Sequence, residues 1–271
     1  MSLPTGTVTT FTPELSRRLF RTVARIAEEP SVKAVVEANH DENRWWPTRV
    51  KDWRLRMAVA GWSGRVSYNM VSTYADVVVE ADRLGFDHLV AMPDRELAEL
   101  VRPLGLAAAR VHYFRSLAAF LENIEASGPD PLTSDTDAFI RLFADKVRQA
   151  SYKVAQCATL YARGYHSGII PVDSGMVSKL APRLGMHFGR GAIAHEQMRR
   201  TLEACADDRA DGYRKLVSRL NYAVTLPDEG PPTWWIHLSL IYFKRLFCNR
   251  PSPRLCPGQP ICGRMLDCHC P

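Results

Sequence analysis

The last twenty-five residues, 247–271, restrict the possible folds of this chain more than any other stretch. Five of the seven cysteines lie there, among prolines and glycines, with almost no aliphatic side chains between them. A segment of this composition cannot fold by burying its own side chains. Disulfide bonds or a metal centre must therefore close it.

A metal centre is the favoured closure, because we expect an intracellular protein. The first ten residues contain neither a basic start nor an apolar run, which predicts that no signal peptide is present. Thiols stay reduced inside cells, where a cysteine cluster more often binds a metal than forms disulfides. The other two cysteines, Cys157 and Cys205, lie far from the cluster in helix-like sequence.

The spacing of the cysteines distinguishes between metals. The candidate ligands are Cys248, Cys256, Cys262 and Cys268, with Cys270 as a spare thiol. None of the tight two-residue knuckles that are typical of zinc sites occurs. Wide, proline-guided spacing favours a four-thiolate loop around a [4Fe–4S] cluster. Zinc, disulfide bonds and an unliganded loop remain the alternatives.

Composition and periodicity predict an all-α protein. The 271 residues are 46% hydrophobic and 24% charged, enough for a sizeable core, and no apolar run reaches the ~20 residues of a membrane helix. The net charge of +6 suits a polyanionic partner without requiring one. Apolar residues recur every three to four positions through most of the chain, and strand-like alternation is scarce. The main predicted helices are 12–29, 53–60, 66–84, 94–101, 106–124, 133–147, 152–162, 176–184, 195–206, 211–221 and 233–247.

One short motif and the terminal loop together carry a family resemblance. Residues 171–177 have the sequence Pro-Val-Asp-Ser-Gly-Met-Val, in which Asp173 opens a predicted helix about 75 residues before Cys248. A long all-α chain with this motif and a four-cysteine end resembles the helix-hairpin-helix DNA glycosylases, and most of all their endonuclease III branch. The motif is similar to the Val-Asp-Thr-His stretch that carries the essential aspartate of that family.

Other segments follow the same family order from about residue 50 to Cys268. Lys153 and the helix that it begins are similar to the helix of the family's catalytic lysine. Residues 55–69 resemble the helix before the base-flipping loop, with Trp62 in place of a polar flipping residue. The loop that ends at Leu106 is similar to the loop that wedges the opposite DNA strand.

The helical hairpin departs from the family pattern. Residues 147–151 are Val-Arg-Gln-Ala-Ser, where the family has a glycine-rich turn whose amides approach a DNA phosphate. Arg148, Gln149 and Ser151 are therefore the candidate phosphate contacts, with side chains replacing part of the backbone contact. The cysteine gaps are also longer than in the family, so the resemblance indicates a divergent member.

The resemblance implies a two-lobed architecture and a reaction. A six-helix barrel lobe would span residues 51–168 and end in the degenerate hairpin, and residues 1–50 with 169–271 would form the second lobe. The implied activity is excision of a damaged or modified base from double-stranded DNA. The resemblance also implies a second activity, cleavage of abasic sites by a lyase reaction through a Schiff base on Lys153. A monofunctional or a catalytically inactive DNA-binding protein is the alternative. The implied protein is a cytoplasmic, DNA-associated monomer.

Each candidate residue also has a plainer role. Asp173 would make a good helix N-cap without any catalytic duty, although the two roles are compatible. Lys153 suits a solvated position in the first turn of a helix. Trp62 suits the core as well as it suits a wedge between base steps.

Overall fold

The computed structural model describes residues 8–43, 45 and 49–248, and every regular element within these ranges is helical. The predicted all-α class is thereby confirmed. No described helix has the length and apolar character needed to cross a membrane. The helices are α1 Pro13–Glu28, α2 Pro30–His40, α3 Trp53–Trp62, α4 Val71–Leu84, α5 Phe86–Ala91, α6 Asp94–Val101, α7 Ala107–Ser127, α8 Thr136–Lys146, α9 Tyr152–Arg163, α10 Ala181–Arg183, α11 Ile193–Asp207, α12 Ala210–Arg219 and α13 Thr233–Phe243.

The chain forms two compact units, and it passes from one to the other after Asp41 and back again after Ser167. One unit contains α3 to α9, and the other contains α1, α2 and α10 to α13. Two π-helical segments, Met176–Leu180 and Lys244–Cys248, belong to the second unit. π-Helical segments are rare in proteins, and those that do occur are often found at functional sites.

Helix α3 forms the centre of the first unit, where it packs against α7 and α9. Gly61 makes the close approach to α7 possible, because a Cβ atom there would lie 2.1 Å from the Tyr113 ring. The Tyr113 hydroxyl donates a hydrogen bond to the carbonyl of Met57 (2.7 Å), which ties the same two helices together. A side chain at residue 61 would therefore push α3 and α7 apart.

Helix α13 forms the centre of the second unit. All of its residues from Thr233 to Phe243 are buried, and it packs against α1 and α2. A mostly apolar helix that is buried on every side is stable only because other elements surround it. The buried Trp234 indole also has a partner for its N–H, which donates a hydrogen bond to the carbonyl of His40 in α2 (3.0 Å).

A pH-dependent stability follows from the buried thiol of Cys205 in α11. Burial raises the pKa of Cys205 from 9.0 to about 12, and the Asp208 carboxylate adds to the rise. The unfolded thiol ionises first, so Cys205 supports the folded state below pH 9 and loses that support as the pH rises towards 12. We expect the difference in unfolding free energy between wild type and Cys205→Ala to shrink over this range in urea titrations. A difference that stays constant with pH would contradict the prediction.

Candidate active site

Asp173 lies at the end of a buried segment that leads into a helix. Ile169, Ile170 and Val172 are all fully buried, so hydrophobic burial holds the segment in the interior. The N–H of Ile170 donates to the Glu203 carboxylate of α11 (2.9 Å). The backbone that delivers Asp173 is therefore anchored by packing and by a hydrogen bond from a distant helix.

The Asp173 carboxylate caps the helix that follows it. Its Oδ1 atom accepts a hydrogen bond from the N–H of Met176 (2.6 Å), which is the N-cap arrangement predicted from the sequence. The Ser174 hydroxyl next to it lies 3.4 Å from Nε2 of His195. The side chain of Asp173 is still 24% exposed, so capping leaves part of the carboxylate accessible.

Lys244 is a member of this site that the sequence analysis missed. Its Nζ atom lies 2.5 Å from Oδ2 of Asp173, and its side chain is only 5% exposed. The two residues are 71 positions apart and lie at the two π-helical segments, which pack against each other. The one available sequence signal was a lysine near the end of a mostly apolar helix, because a lysine that such a helix carries into the interior is seldom buried without a carboxylate partner.

A charged network in α11 supports the segment before Asp173. Arg199 is 1% exposed and its guanidinium donates to both Glu196 and Glu203. Glu203 is also the acceptor for the N–H of Ile170. Arg199 therefore holds the carboxylate that anchors the chain three residues before Asp173.

The predicted hairpin consists of α8, a turn over residues 147–151, and α9. Gln149 adopts φ +65°, a left-handed conformation that glycine would take without strain, so the turn has this geometry without the glycines of the family. Arg148, Gln149 and Ser151 are exposed, and the Ser151 hydroxyl caps α9. Lys153 is half-buried in the first turn of α9, in the unit that does not contain Asp173.

Trp62 and Leu106 differ sharply in exposure. Trp62 is fully buried and its indole N–H donates to the carbonyl of Arg110 (3.4 Å), so the side chain belongs to the core and presents no surface to DNA. Leu106 is 53% exposed and has φ +52°, an uncommon backbone conformation for leucine. Of the two predicted wedge residues, only Leu106 is therefore accessible.

Arg110 connects the loops that contain these two residues. Its buried guanidinium donates to the carbonyl of Trp62, the last residue of α3, and to the carbonyl of Gly64 just beyond it. It also donates to the carbonyls of Leu104 (2.9 Å) and Gly105 (2.7 Å), immediately before Leu106. One side chain thus fixes the backbone on which Leu106 is presented.

The metal prediction falls mostly outside the described residues. Cys248 is described and is 3% exposed at the end of the second π-helical segment. Cys256, Cys262, Cys268 and the spare Cys270 lie beyond residue 248, outside the described part of the chain. Within residues 8–43, 45 and 49–248, no group of three or more histidine, cysteine, aspartate or glutamate side chains is placed to bind a metal ion.

Comparison with known proteins identifies the fold. No protein-family model and no curated protein sequence matches the chain. Among solved structures, a thermostable thymine-DNA glycosylase aligns with a TM-score of 0.57 at 14% identity, covering 93% of this chain and 95% of its own. A 3-methyladenine DNA glycosylase of H. pylori, bound to 1,N6-ethenoadenine, aligns with a TM-score of 0.55 at 12% identity, covering 84% and 97%. The chain therefore has the all-α fold of these two DNA glycosylases, as the sequence resemblance predicted.

Proposed function

We propose that this protein is a DNA N-glycosylase that removes a damaged or modified base. The observation that carries the proposal is Asp173, a partly exposed carboxylate held at a helix N-terminus and paired with a buried lysine. The fold shared with two DNA glycosylases and the net charge of +6 support the same activity.

The proposed reaction follows from the chemistry of the glycosidic bond. A base inside the duplex cannot be reached, so the target nucleotide must first leave the base stack. As the bond to the base breaks, positive charge develops on the sugar. The Asp173 carboxylate stabilises that charge or activates the attacking water.

DNA contacts are proposed at the hairpin and at the Leu106 loop. The exposed turn residues Arg148, Gln149 and Ser151 would contact a phosphate with side chains and with the N-terminus of α9. Leu106 would insert its apolar side chain between base steps, since it is exposed on a backbone held by Arg110.

The direct test is base release by the purified protein. A panel of duplexes would include a G·T mismatch and an alkylated purine, because the two structural relatives are named for thymine and 3-methyladenine. Release of any base supports the proposal. Salt-sensitive binding to the duplexes without any release would instead support an inactive DNA-binding protein on the same scaffold.

A lyase step through Lys153 is a separate part of the proposal. A neutral lysine amine can attack the sugar C1′ of an abasic site and form a Schiff base, which permits strand cleavage by β-elimination. Borohydride would trap this adduct on abasic DNA, and Lys153→Ala should abolish the trapping. Base release without trapping would identify a monofunctional enzyme in which Asp173 activates water.

A [4Fe–4S] cluster in the terminal loop, as in the endonuclease III branch, is also proposed. The buried Cys248 thiol suits a cluster ligand at the start of the loop, with Cys256, Cys262 and Cys268 as the other ligands. The cluster would hold the loop in place. Metal and sulfide analysis should find iron in wild type and in Cys205→Ala, but not in Cys248→Ala. Zinc in wild type would select the alternative metal.

Leu106 provides a prediction about duplex distortion. We expect Leu106→Ala to slow base release from a duplex by about tenfold, equivalent to ~1.4 kcal/mol, because the wedge no longer offsets the cost of unstacking. The same lesion in single-stranded DNA should be processed at the wild-type rate, since no partner strand has to be separated. Equal slowing on both substrates in single-turnover assays would show that Leu106 does not act as a wedge.

A further inference from the structure

We propose that Lys244 is a positioning residue for Asp173. Its ammonium group would hold the Asp173 carboxylate in one orientation while positive charge develops on the sugar. This inference rests on the proposed function, because it assigns Lys244 a part in that same reaction.

The two oxygens of the carboxylate have different donors. Oδ1 accepts from the backbone N–H of Met176 at 2.6 Å, and Oδ2 accepts from Nζ of Lys244 at 2.5 Å. Rotation of the carboxylate away from this position would break hydrogen bonds to both donors. The orientation is therefore determined by two elements that are remote in sequence.

The exposures of the two side chains indicate which one meets the substrate. Asp173 is 24% exposed at its side chain, whereas Lys244 is 5% exposed. A DNA sugar can approach the carboxylate more readily than the ammonium group. An adjacent cation also favours the ionised form of a carboxylate, which is the form that stabilises a developing positive charge.

The absence of a side chain at Gly175 leaves room for the ammonium group of Lys244 beside Asp173. The φ of −74° at this residue is available to any amino acid, so glycine is not needed for its conformational freedom. A Cβ atom at residue 175 would lie 2.7 Å from Nζ of Lys244 and 3.3 Å from Oδ1 of Asp173. A side chain at residue 175 would therefore displace the ammonium group while leaving its charge in the protein.

The experiment compares Lys244→Met, Lys244→Arg and Gly175→Ala with wild type. Single-turnover base release would be measured at saturating enzyme, together with the Kd for the lesion duplex. We expect Lys244→Met to slow release by about 10²-fold, comparable to the loss of one preorganised donor at a developing charge. Lys244→Arg should recover most of the rate, Gly175→Ala should be slowed, and the Kd should stay within about twofold of wild type.

Lys179→Met is the matched control, because Lys179 is an exposed lysine on the neighbouring π-helical segment. It should retain the wild-type rate. A wild-type rate in Lys244→Met would overturn the proposal, and so would parallel losses of rate and affinity that arginine does not restore. If Lys244→Met does not fold, Gly175→Ala takes its place, and a wild-type rate in that variant, together with a crystal structure in which the ammonium group has left Asp173, would overturn the proposal.

Failure of the proposed function can be told apart from failure of this inference. Wild-type protein that releases no base from any duplex would reject the glycosylase activity. A crystal structure of Lys244→Met would still report the orientation of Asp173 independently of any activity. A carboxylate that keeps its position without Lys244 would overturn the positioning role.

Discussion

Asp173→Asn is expected to lower the single-turnover rate of base release by on the order of 10³-fold, within the range measured for groups of this kind. Asparagine has nearly the same shape and caps helices about as well as aspartate, so the bond from the N–H of Met176 can persist. The negative charge that would stabilise the sugar cation is lost, and Lys244 loses its carboxylate partner.

Asp135→Asn is the control that separates capping from charge. Asp135 caps α8 by accepting from the N–H of Ala138 (2.8 Å), in the same way that Asp173 caps its helix. The Asp135 variant should release base at the wild-type rate. If Asp173→Asn also kept that rate, Asp173 would be a helix cap without a role in the reaction.

Arg199→Met is expected to lower the free energy of unfolding by about 3–5 kcal/mol, the usual cost of breaking a buried ion pair by removing one partner. Methionine fills much of the volume of the arginine but leaves Glu196 and Glu203 without the guanidinium that both carboxylates contact. Urea unfolding followed by far-ultraviolet circular dichroism measures the loss.

Arg200→Met tests whether burial causes this large effect. Arg200 pairs with the same Glu196 at 3.2 Å, but its side chain is 43% exposed, compared with 1% for Arg199. An ion pair that is open to solvent contributes ~1 kcal/mol or less, so we expect a small loss in this variant. Equal losses in the two variants would contradict the assignment of Arg199 as the central residue of the network.

The local pattern of the chain predicted most helices, because apolar periodicity depends on residues three and four apart. The short helix α5 was missed, since residues 86–91 are too few to show a period. The predicted helices that begin at residues 66 and 106 start later in the structure, at Val71 and Ala107. Helix ends depend on tertiary contacts such as those of Arg110, which neighbouring residues do not reveal.

The helix cap at Asp173 could be predicted from the sequence because its motif is contiguous and its capping bond reaches only three residues ahead. The burial of Trp62 and the exposure of Leu106 depended on tertiary packing, since both are large apolar residues at helix ends. Local sequence cannot distinguish a core position from an exposed wedge of the same polarity.

The sequence by itself thus determined the helical class of the chain, the position of Asp173 at a helix start and the cysteine-rich end. Only the tertiary structure decided that Lys244 pairs with Asp173 and that Arg199 anchors the segment before it. The physical reason is that a helix cap forms between near neighbours in the chain, whereas an ion pair across 71 residues exists only after two buried elements have packed together.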